Sequence, residues 1–134
     1  MPIKDIMSTK LITVSPDETL GRMKTIIDKL DIHHILVVIN DELVGIISDR
    51  DILRNISPFK DTGSEAPRDN SILMTKASQV MTKNPTTIHQ DGSIREAGKI
   101  ILEKNIGLLP TVDSEGKLVG VISWKDVLRF AIKY

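Results

Sequence analysis

The chain has 134 residues, and its 18 basic side chains balance its 18 acidic ones, so its formal net charge is zero with neutral histidines. A neutral chain has no general field for nucleic acid or anionic membrane, and an aromatic content of 3% is too low for a base-stacking platform. The absence of cysteine excludes disulfides, thiolate zinc sites and a cysteine nucleophile.

The first ten residues carry charges where a secretory signal needs a continuous apolar segment. The longest aliphatic runs, such as residues 35–39, have the length of a strand and are far too short to span a membrane. We therefore expect a cytoplasmic protein that binds neither nucleic acid nor membrane.

A short strand centred near Thr13 precedes a predicted helix that begins in the stretch SPDETL. There Ser15 is expected to cap the helix, Pro16 to take the first helical position and Glu18 to complete a capping box. Apolar residues then recur with the helical period on one face, namely Leu20, Met23, Ile27 and Leu30.

Two strands, ILVVI and LVGII, follow the helix and are separated by the polar turn NDE, so they are expected to pair antiparallel. The second strand runs into a short helix, DILRNI. Residues 1–56 therefore read as strand, helix, strand, strand, helix. Residues 57–76 are dominated by Pro, Gly, Ser and mixed charges, which predicts a linker.

The predicted order of strands and helices in residues 1–56 recurs in residues 77–134. Met7 and Asp17 recur as Met81 and Asp91, each 74 positions later, and one added residue, Gly116, lengthens the offset to 75. LVGIISDRDILR at 43–54 then lies over LVGVISWKDVLR at 118–129 with eight identities in twelve positions. The chain is a tandem duplication.

The second copy carries its own boundary signals. Ser93 and Glu96 form a cap pair before the helix, the first strand is centred near Thr87, and Gly116 suits a turn with positive φ. We predict an α/β (α+β) fold of two pseudo-symmetric repeats, each β-α-β-β-α.

The segments GIISDRD and GVISWKD raise two interpretations of residues 48–51 (the first corner) and 123–126 (the second corner). Ser-x-x-Asp before an aliphatic run is a helix-capping signature. A strand that ends in a helix N-terminus also directs free amides at one spot, which suits an anion. Arg50 and Lys125 place a cation at the same position of both corners, where it opposes the helix dipole but suits a phosphate. Asp51 and Asp126 can each accept two hydrogen bonds from a ribose diol.

At these motifs the chain resembles a pair of cystathionine-β-synthase-type (CBS) domains, also called a Bateman module, over about residues 3–56 and 77–131. The first copy carries the resemblance in DIMSTKLITVSPDETL, HHILVV and GIISDRDIL, and the second in QVMTKNPTTIHQDGSI, GLLPTV and GVISWKDVL. The resemblance implies clefts between the two copies that bind adenosine compounds, and a signal passed to a partner.

The resemblance also implies the ligand contacts. Phosphate and ribose contacts fall on Ser48, Arg50 and Asp51 in repeat 1, and on Ser123, Lys125 and Asp126 in repeat 2. Adenine contacts fall on Ile12, Thr13 and Ile35 in repeat 1, and on Thr86, Thr87, Leu109 and Pro110 in repeat 2. Leu36 stands where many members have proline, a departure that affects the adenine pocket of repeat 1.

The expected ligand is AMP, ADP or ATP; S-adenosylmethionine ranks lower because it leaves Arg50 and Lys125 without a phosphate. No cofactor is expected. No metal site is expected, since His33 and His34 lack further ligands at metal spacing. No catalysis is expected, since no base–nucleophile pair is evident.

Trp124 is predicted to pack at an interface. Expected partners are a second copy, in a homodimer, and an unknown effector protein. The alternative is a ligand-free dimerisation or protein-interaction module whose Ser-x-x-Asp corners are only helix caps.

Overall fold

The computed structural model describes residues 1–56 and 71–133, so residues 57–70 of the predicted linker lie outside the described residues. The chain divides into two compact units. The first unit is Ile12–Asn84, and the second unit combines Met1–Leu11 with Pro85–Tyr134. Each unit therefore includes the N-terminal segment of the opposite repeat.

The first unit contains a four-stranded sheet in the order β1-β2-β3-β4. Strand β1 is parallel to β2, whereas β2–β3 and β3–β4 are antiparallel. Its elements in chain order are β1 (Thr13–Val14), α1 (Leu20–Leu30), β2 (His34–Ile39), β3 (Glu42–Ser48), α2 (Asp49–Ile56), α3 (Ala77–Val80) and β4 (Thr82–Lys83).

The second unit contains a three-stranded sheet in the order β5-β6-β7, with β5 parallel to β6 and β6 antiparallel to β7. Its elements are a 3₁₀ helix (Ile3–Asp5), β5 (Ile88–His89), α4 (Ile94–Lys104), β6 (Leu108–Val112), β7 (Leu118–Ser123) and α5 (Trp124–Lys133). The predicted order of strand, helix, strand, strand, helix is confirmed in both repeats.

Each unit has its own hydrophobic core, formed where the helix stripe meets the aliphatic strands. The predicted stripe of α1 buries Leu20 and Met23, while Leu30 at its end is 52% exposed. The first core consists of Val14, Leu20, Met23, Ile35, Val37, Ile47, Ile52, Ile56 and Ala77. The second core consists of Ile3, Ile88, Ile94, Ala97, Ile101, Leu109 and Ile122.

The predicted start of the first helix at Ser15 is wrong. Helix α1 begins at Leu20, and its N-cap is Thr19, whose hydroxyl accepts a hydrogen bond from the backbone N–H of Arg22 at 3.2 Å. The carbonyls of Pro16 and Glu18 accept hydrogen bonds from residues 78 and 77 at 3.0 and 2.7 Å. The stretch SPDETL is therefore held by the segment that enters the second repeat.

Two boundary signals of the second repeat are confirmed, the cap at Ser93 and the turn at Gly116. Ser93 caps α4, since its hydroxyl accepts from the backbone N–H of Glu96 at 3.0 Å. The turns of the two hairpins contain residues with positive φ, Asn40 and Asp41 in the first and Gly116 in the second. None of the helices within residues 1–56 and 71–133 has the length and apolarity needed to cross a membrane.

A methionine packs against a strand glycine in each unit. Met81 covers Gly45 on β3, and Met7 covers Gly120 on β7. A Cβ atom on Gly120 would lie 2.6 Å from the sulfur of Met7 and 2.9 Å from the carbonyl oxygen of Ser8. The two glycines therefore allow a neighbouring segment to approach the strand closely.

Candidate ligand-binding corners

Both corners are built by a strand that passes directly into a helix. Strand β3 ends at Ser48 and α2 begins at Asp49, while β7 ends at Ser123 and α5 begins at Trp124. The N–H of Asp49 donates to the carbonyl of His33 at 2.9 Å, and the N–H of Trp124 donates to the carbonyl of Gly107 at 3.1 Å. The backbone thus turns with the same hydrogen bond in both corners.

The serine and aspartate of each corner form a reciprocal capping box. In the first corner Ser48 N–H donates to Asp51 Oδ2 at 2.9 Å, and Asp51 N–H donates to Ser48 Oγ at 3.1 Å. In the second corner the same bonds join Ser123 and Asp126 at 2.8 and 3.1 Å. The capping interpretation is therefore confirmed for both motifs, while their ligand contacts stay a prediction.

The second carboxylate oxygen of each aspartate faces an arginine that the sequence interpretation did not include. Arg129 Nη1 lies 3.2 Å from Asp126 Oδ1, and Arg54 Nη1 lies 3.8 Å from Asp51 Oδ1. The signal was available, because Asp-x-x-Arg recurs at the same place in both repeats and places the two side chains on neighbouring helix turns. The start of each helix thus carries two cationic side chains. They are Arg50 and Arg54 in the first repeat, and Lys125 and Arg129 in the second.

The cations at the predicted phosphate positions are accessible. Arg50 and Lys125 are exposed, and the carboxylate-bearing side chains of Asp51 and Asp126 retain 24% and 21% of their surface. Lys125 Nζ lies 5.8 Å from the centroid of the Trp124 ring, within the range of a cation–π contact. The polar groups of both corners can therefore be reached from solvent.

The residues predicted to line the adenine pocket of repeat 1 differ in exposure. Thr13 is exposed, Ile12 is half-buried, and Ile35 is completely buried in the first core. Thr13 lies opposite Leu36 in the β1–β2 ladder, and Leu36 N–H donates to the carbonyl of Ile12 at 3.0 Å. The hydrogen-bonding capacity of the Ile12 carbonyl is thus partly used within the sheet.

The corresponding residues of repeat 2 are arranged differently because of Pro110. Proline has no N–H, so Pro110 cannot make the counterpart of the Leu36–Ile12 bond to the carbonyl of Thr86. Strand β5 accordingly begins at Ile88, and the exposed Thr87 precedes it. Leu109 and Pro110 themselves are buried. The carbonyl of Thr86 therefore does not accept the hydrogen bond that the matching carbonyl of Ile12 accepts from Leu36 in the first repeat.

Two histidines lie next to the first corner. His33 Nδ1 is 3.0 Å from Asp49 Oδ2, and this hydrogen bond is the main reason why the pKa of the Asp49 carboxyl is lowered. His34 lies opposite Ser48 in the β2–β3 ladder, and burial lowers the pKa of its imidazole despite the nearby Asp49. Within residues 1–56 and 71–133, no three His, Asp or Glu side chains are grouped as metal ligands.

Replacing His34 with leucine, the residue at the matching position 108, should reduce the loss of stability in mild acid. Because folding lowers the pKa of His34 below its ordinary 6.5, the unfolded state binds more protons than the folded state as the pH falls through this value. Wild-type stability should therefore decrease between about pH 7 and 5.5, and His34→Leu should show a shallower decrease. Urea unfolding at several pH values measures both slopes; equal slopes would contradict the prediction.

Comparison with known protein families gives a match to the CBS domain over residues 3–58 and again over residues 77–133. A CBS domain-containing protein of Dictyostelium discoideum is 37% identical over 133 residues, which are 98% of this chain and 91% of that protein. An inosine-5'-monophosphate dehydrogenase of Methanocaldococcus jannaschii is 32% identical over 126 residues, which are 93% of this chain. The matched region spans only 22% of that enzyme, and 38% of an uncharacterized protein of the same organism that is 34% identical.

Solved structures share the fold over nearly the whole chain. CBSX2 from Arabidopsis thaliana, in complex with AMP, superposes with a TM-score of 0.81 at 23% identity, covering 98% of this chain and 96% of that chain. The CBS domain pair of protein MJ0100, in complex with 5'-methylthioadenosine and S-adenosyl-L-methionine, superposes with a TM-score of 0.78 at 27% identity. That match covers 100% of this chain and 98% of the other.

Proposed function

Because the chain belongs to the CBS domain family and carries two copies of that domain, we propose that it is a cytoplasmic, non-catalytic regulatory module that binds an adenine nucleotide, AMP, ADP or ATP. The observation that carries this proposal is the duplicated corner. In each copy a hydroxyl, an exposed cation and a partly exposed carboxylate gather at the start of a helix. These are the groups that a ribose phosphate requires.

The phosphate is assigned to the serine hydroxyl and the cation of each corner. Helices α2 and α5 begin immediately after Ser48 and Ser123, so the positive ends of their dipoles lie there. Arg50 and Lys125 stand in the first turn, where a cation is unfavourable unless an anion is bound. A bound phosphate would offset that repulsion and accept hydrogen bonds from the serine hydroxyl and from the cationic side chain.

The ribose is assigned to Asp51 and Asp126. In both residues Oδ2 accepts the capping hydrogen bond, and Oδ1 faces the arginine three residues later. A ribose hydroxyl can donate to Oδ1 without breaking the cap, because a carboxylate oxygen accepts more than one hydrogen bond. The cap then orients the carboxylate instead of competing with the ligand.

The ligands of the matched structures support an adenosine compound as the ligand class. CBSX2 is described in complex with AMP, and MJ0100 in complex with 5'-methylthioadenosine and S-adenosyl-L-methionine. All three ligands contain adenosine. AMP, ADP and ATP rank first here because Arg50 and Lys125 offer a cation to a phosphate in both corners, whereas S-adenosylmethionine has no phosphate for these cations.

Isothermal titration calorimetry with AMP and ATP tests the proposal. The wild type should release or absorb heat, and the double variant Asp51→Ala, Asp126→Ala should bind at least tenfold more weakly, since one hydrogen-bonded carboxylate contributes about 1.5–3 kcal/mol. Each alanine also removes a helix cap at a cost of about 1 kcal/mol in stability.

The double variant Asp51→Asn, Asp126→Asn is the matched control, because the side-chain oxygen of asparagine can accept the same hydrogen bond from the N–H of Ser48 or Ser123 that the aspartate accepts. We expect this control to keep its unfolding temperature and still to lose nucleotide affinity. Wild-type protein that gives no heat and no thermal shift with any adenine nucleotide would exclude the proposed function.

A specific observation favours the alternative interaction module. Both corners form capping boxes, and Trp124, Leu128 and Ile132 expose apolar surface at helical spacing along α5. Under this alternative the chain forms a homodimer and contacts an effector protein without any nucleotide. Light scattering at micromolar protein tests the homodimer, and calorimetry separates the alternative from the nucleotide-binding module.

A further inference from the structure

The two corners share their backbone geometry but differ in the charges of the neighbouring side chains. The residue that follows the corner serine is Asp49 in the first repeat and Trp124 in the second. Both residues make the same backbone hydrogen bond, to His33 and to Gly107 respectively. The repeats thus provide an internal comparison in which one side chain changes at a fixed backbone position.

The charge difference extends to the first helix of each repeat. Lys24, Asp28 and Asp31 on or next to α1 line one pocket of about 270 Å³ together with His33 and Asp49. The matching positions in repeat 2 are all uncharged and hold Gly98, Leu102, Asn105, Gly107 and Trp124. If His33 is neutral, the five residues of repeat 1 comprise one lysine and three aspartates and have a net charge of −2. The five matching residues of repeat 2 have no charge.

Asp49 remains ionised and fixed at neutral pH. His33 holds its carboxylate at 3.0 Å, and this contact lowers the pKa of the Asp49 carboxyl. Burial lowers the pKa of the neighbouring His34, so this imidazole does not offset the negative charge near pH 7. In the second corner, by contrast, Trp124 adds no charge and its ring lies 5.8 Å from the ammonium of Lys125.

We infer that the two corners differ in how strongly they prefer a charged ligand, with Asp49 and Trp124 as the specificity-determining residues. Both corners bind the phosphate through their cation, but the second corner prefers AMP to adenosine more strongly than the first, where the Asp49 carboxylate weakens the attraction between Arg50 and a phosphate dianion. This inference rests on the proposed function. A carboxylate one residue from the phosphate-binding groups acts over roughly 6–8 Å, where a dianion should lose about fivefold in affinity after solvent screening.

Calorimetry with adenosine and AMP at pH 7.5 and low ionic strength tests the inference on single corners. Asp126→Ala leaves the first corner intact and Asp51→Ala leaves the second. In the Asp126→Ala background, Asp49→Asn should raise the affinity for AMP about fivefold and change that for adenosine by less than about twofold. In the Asp51→Ala background, Trp124→Asp should lower the affinity for AMP by a similar factor. Asp126→Asn and Asp51→Asn replace the alanine backgrounds if those do not fold.

The possible outcomes are distinct. If neither adenosine nor AMP binds the wild type, the proposed function fails and the inference fails with it. If both ligands bind but the ratio of their affinities is the same in the two corners, or is unchanged by Asp49→Asn, the inference alone is overturned. An Asp49 that acts only in structure would change the unfolding temperature and leave that ratio constant.

Discussion

Gly120→Ala is expected to destabilise the protein by about 3 kcal/mol, because the new methyl group has no space. Its Cβ would lie 2.6 Å from Met7 Sδ and 2.9 Å from the carbonyl oxygen of Ser8. That carbonyl cannot move freely, since Ser8 and Val121 exchange two backbone hydrogen bonds of 2.9 Å. Urea unfolding followed by circular dichroism measures the loss.

Gly45→Ala in the other unit is the matched control, since its Cβ would meet the side chain of Met81 and no backbone atom among its three nearest contacts. Adding Met81→Ala to Gly45→Ala should therefore recover part of the lost stability. Adding Met7→Ala to Gly120→Ala should recover little, because the Ser8 carbonyl remains. Equal recovery in both units would show that the methionines alone set the cost.

Ile3→Ala is expected to cost about 3 kcal/mol, because it truncates a completely buried side chain. Ile3 has no exposed surface and belongs to the second core with Ile88 and Ile94. The N–H groups of Ile3 and Lys4 donate to the carbonyls of residues 92 and 90 at 2.9 Å, which fixes the segment in place. Equilibrium unfolding in urea gives the size of the loss.

Leu102→Ala is the control for Ile3→Ala, because Leu102 lies in the same unit and is 83% exposed. Its effect should stay within about 0.5 kcal/mol. A loss at Ile3 as small as that at Leu102 would mean that the N-terminal segment is not part of the folded second unit.

The sequence predicts the repeats and the order of their elements because these depend on local patterns. Aliphatic runs, polar turns and capping residues act within about a dozen positions, and the duplication shows each pattern twice. The error at Ser15 has a non-local cause, since the carbonyls of Pro16 and Glu18 bond to residues far along the chain. Aligning the two repeats would have indicated the true start of the first helix. At the offset of 74 residues, the observed cap Thr19 matches Ser93, the correctly predicted cap of the second repeat.

The capping hydrogen bonds of the two corners were predicted from the sequence, but the arginine partner of each second carboxylate oxygen was not. The recurring Ser-x-x-Asp identified both corners, and the structure adds that each carboxylate divides its oxygens between a cap and an arginine. The pairing of His33 with Asp49 joins residues on either side of two strands, so no local spacing indicated it. The effect of Pro110 on the Thr86 carbonyl likewise depends on which strands are neighbours.

The placement of Ile3 and Ala77 in cores of the opposite repeat bears on how such a chain can arise. A chain with only one repeat would have to obtain the same contacts from a second molecule, which is a domain-swapped dimer whose assembly depends on concentration. Joining the two copies into one polypeptide makes that exchange intramolecular, so each molecule supplies both missing segments at a fixed, high effective concentration. Gene fusion would thereby turn an obligate dimer into a protein that completes its two cores alone.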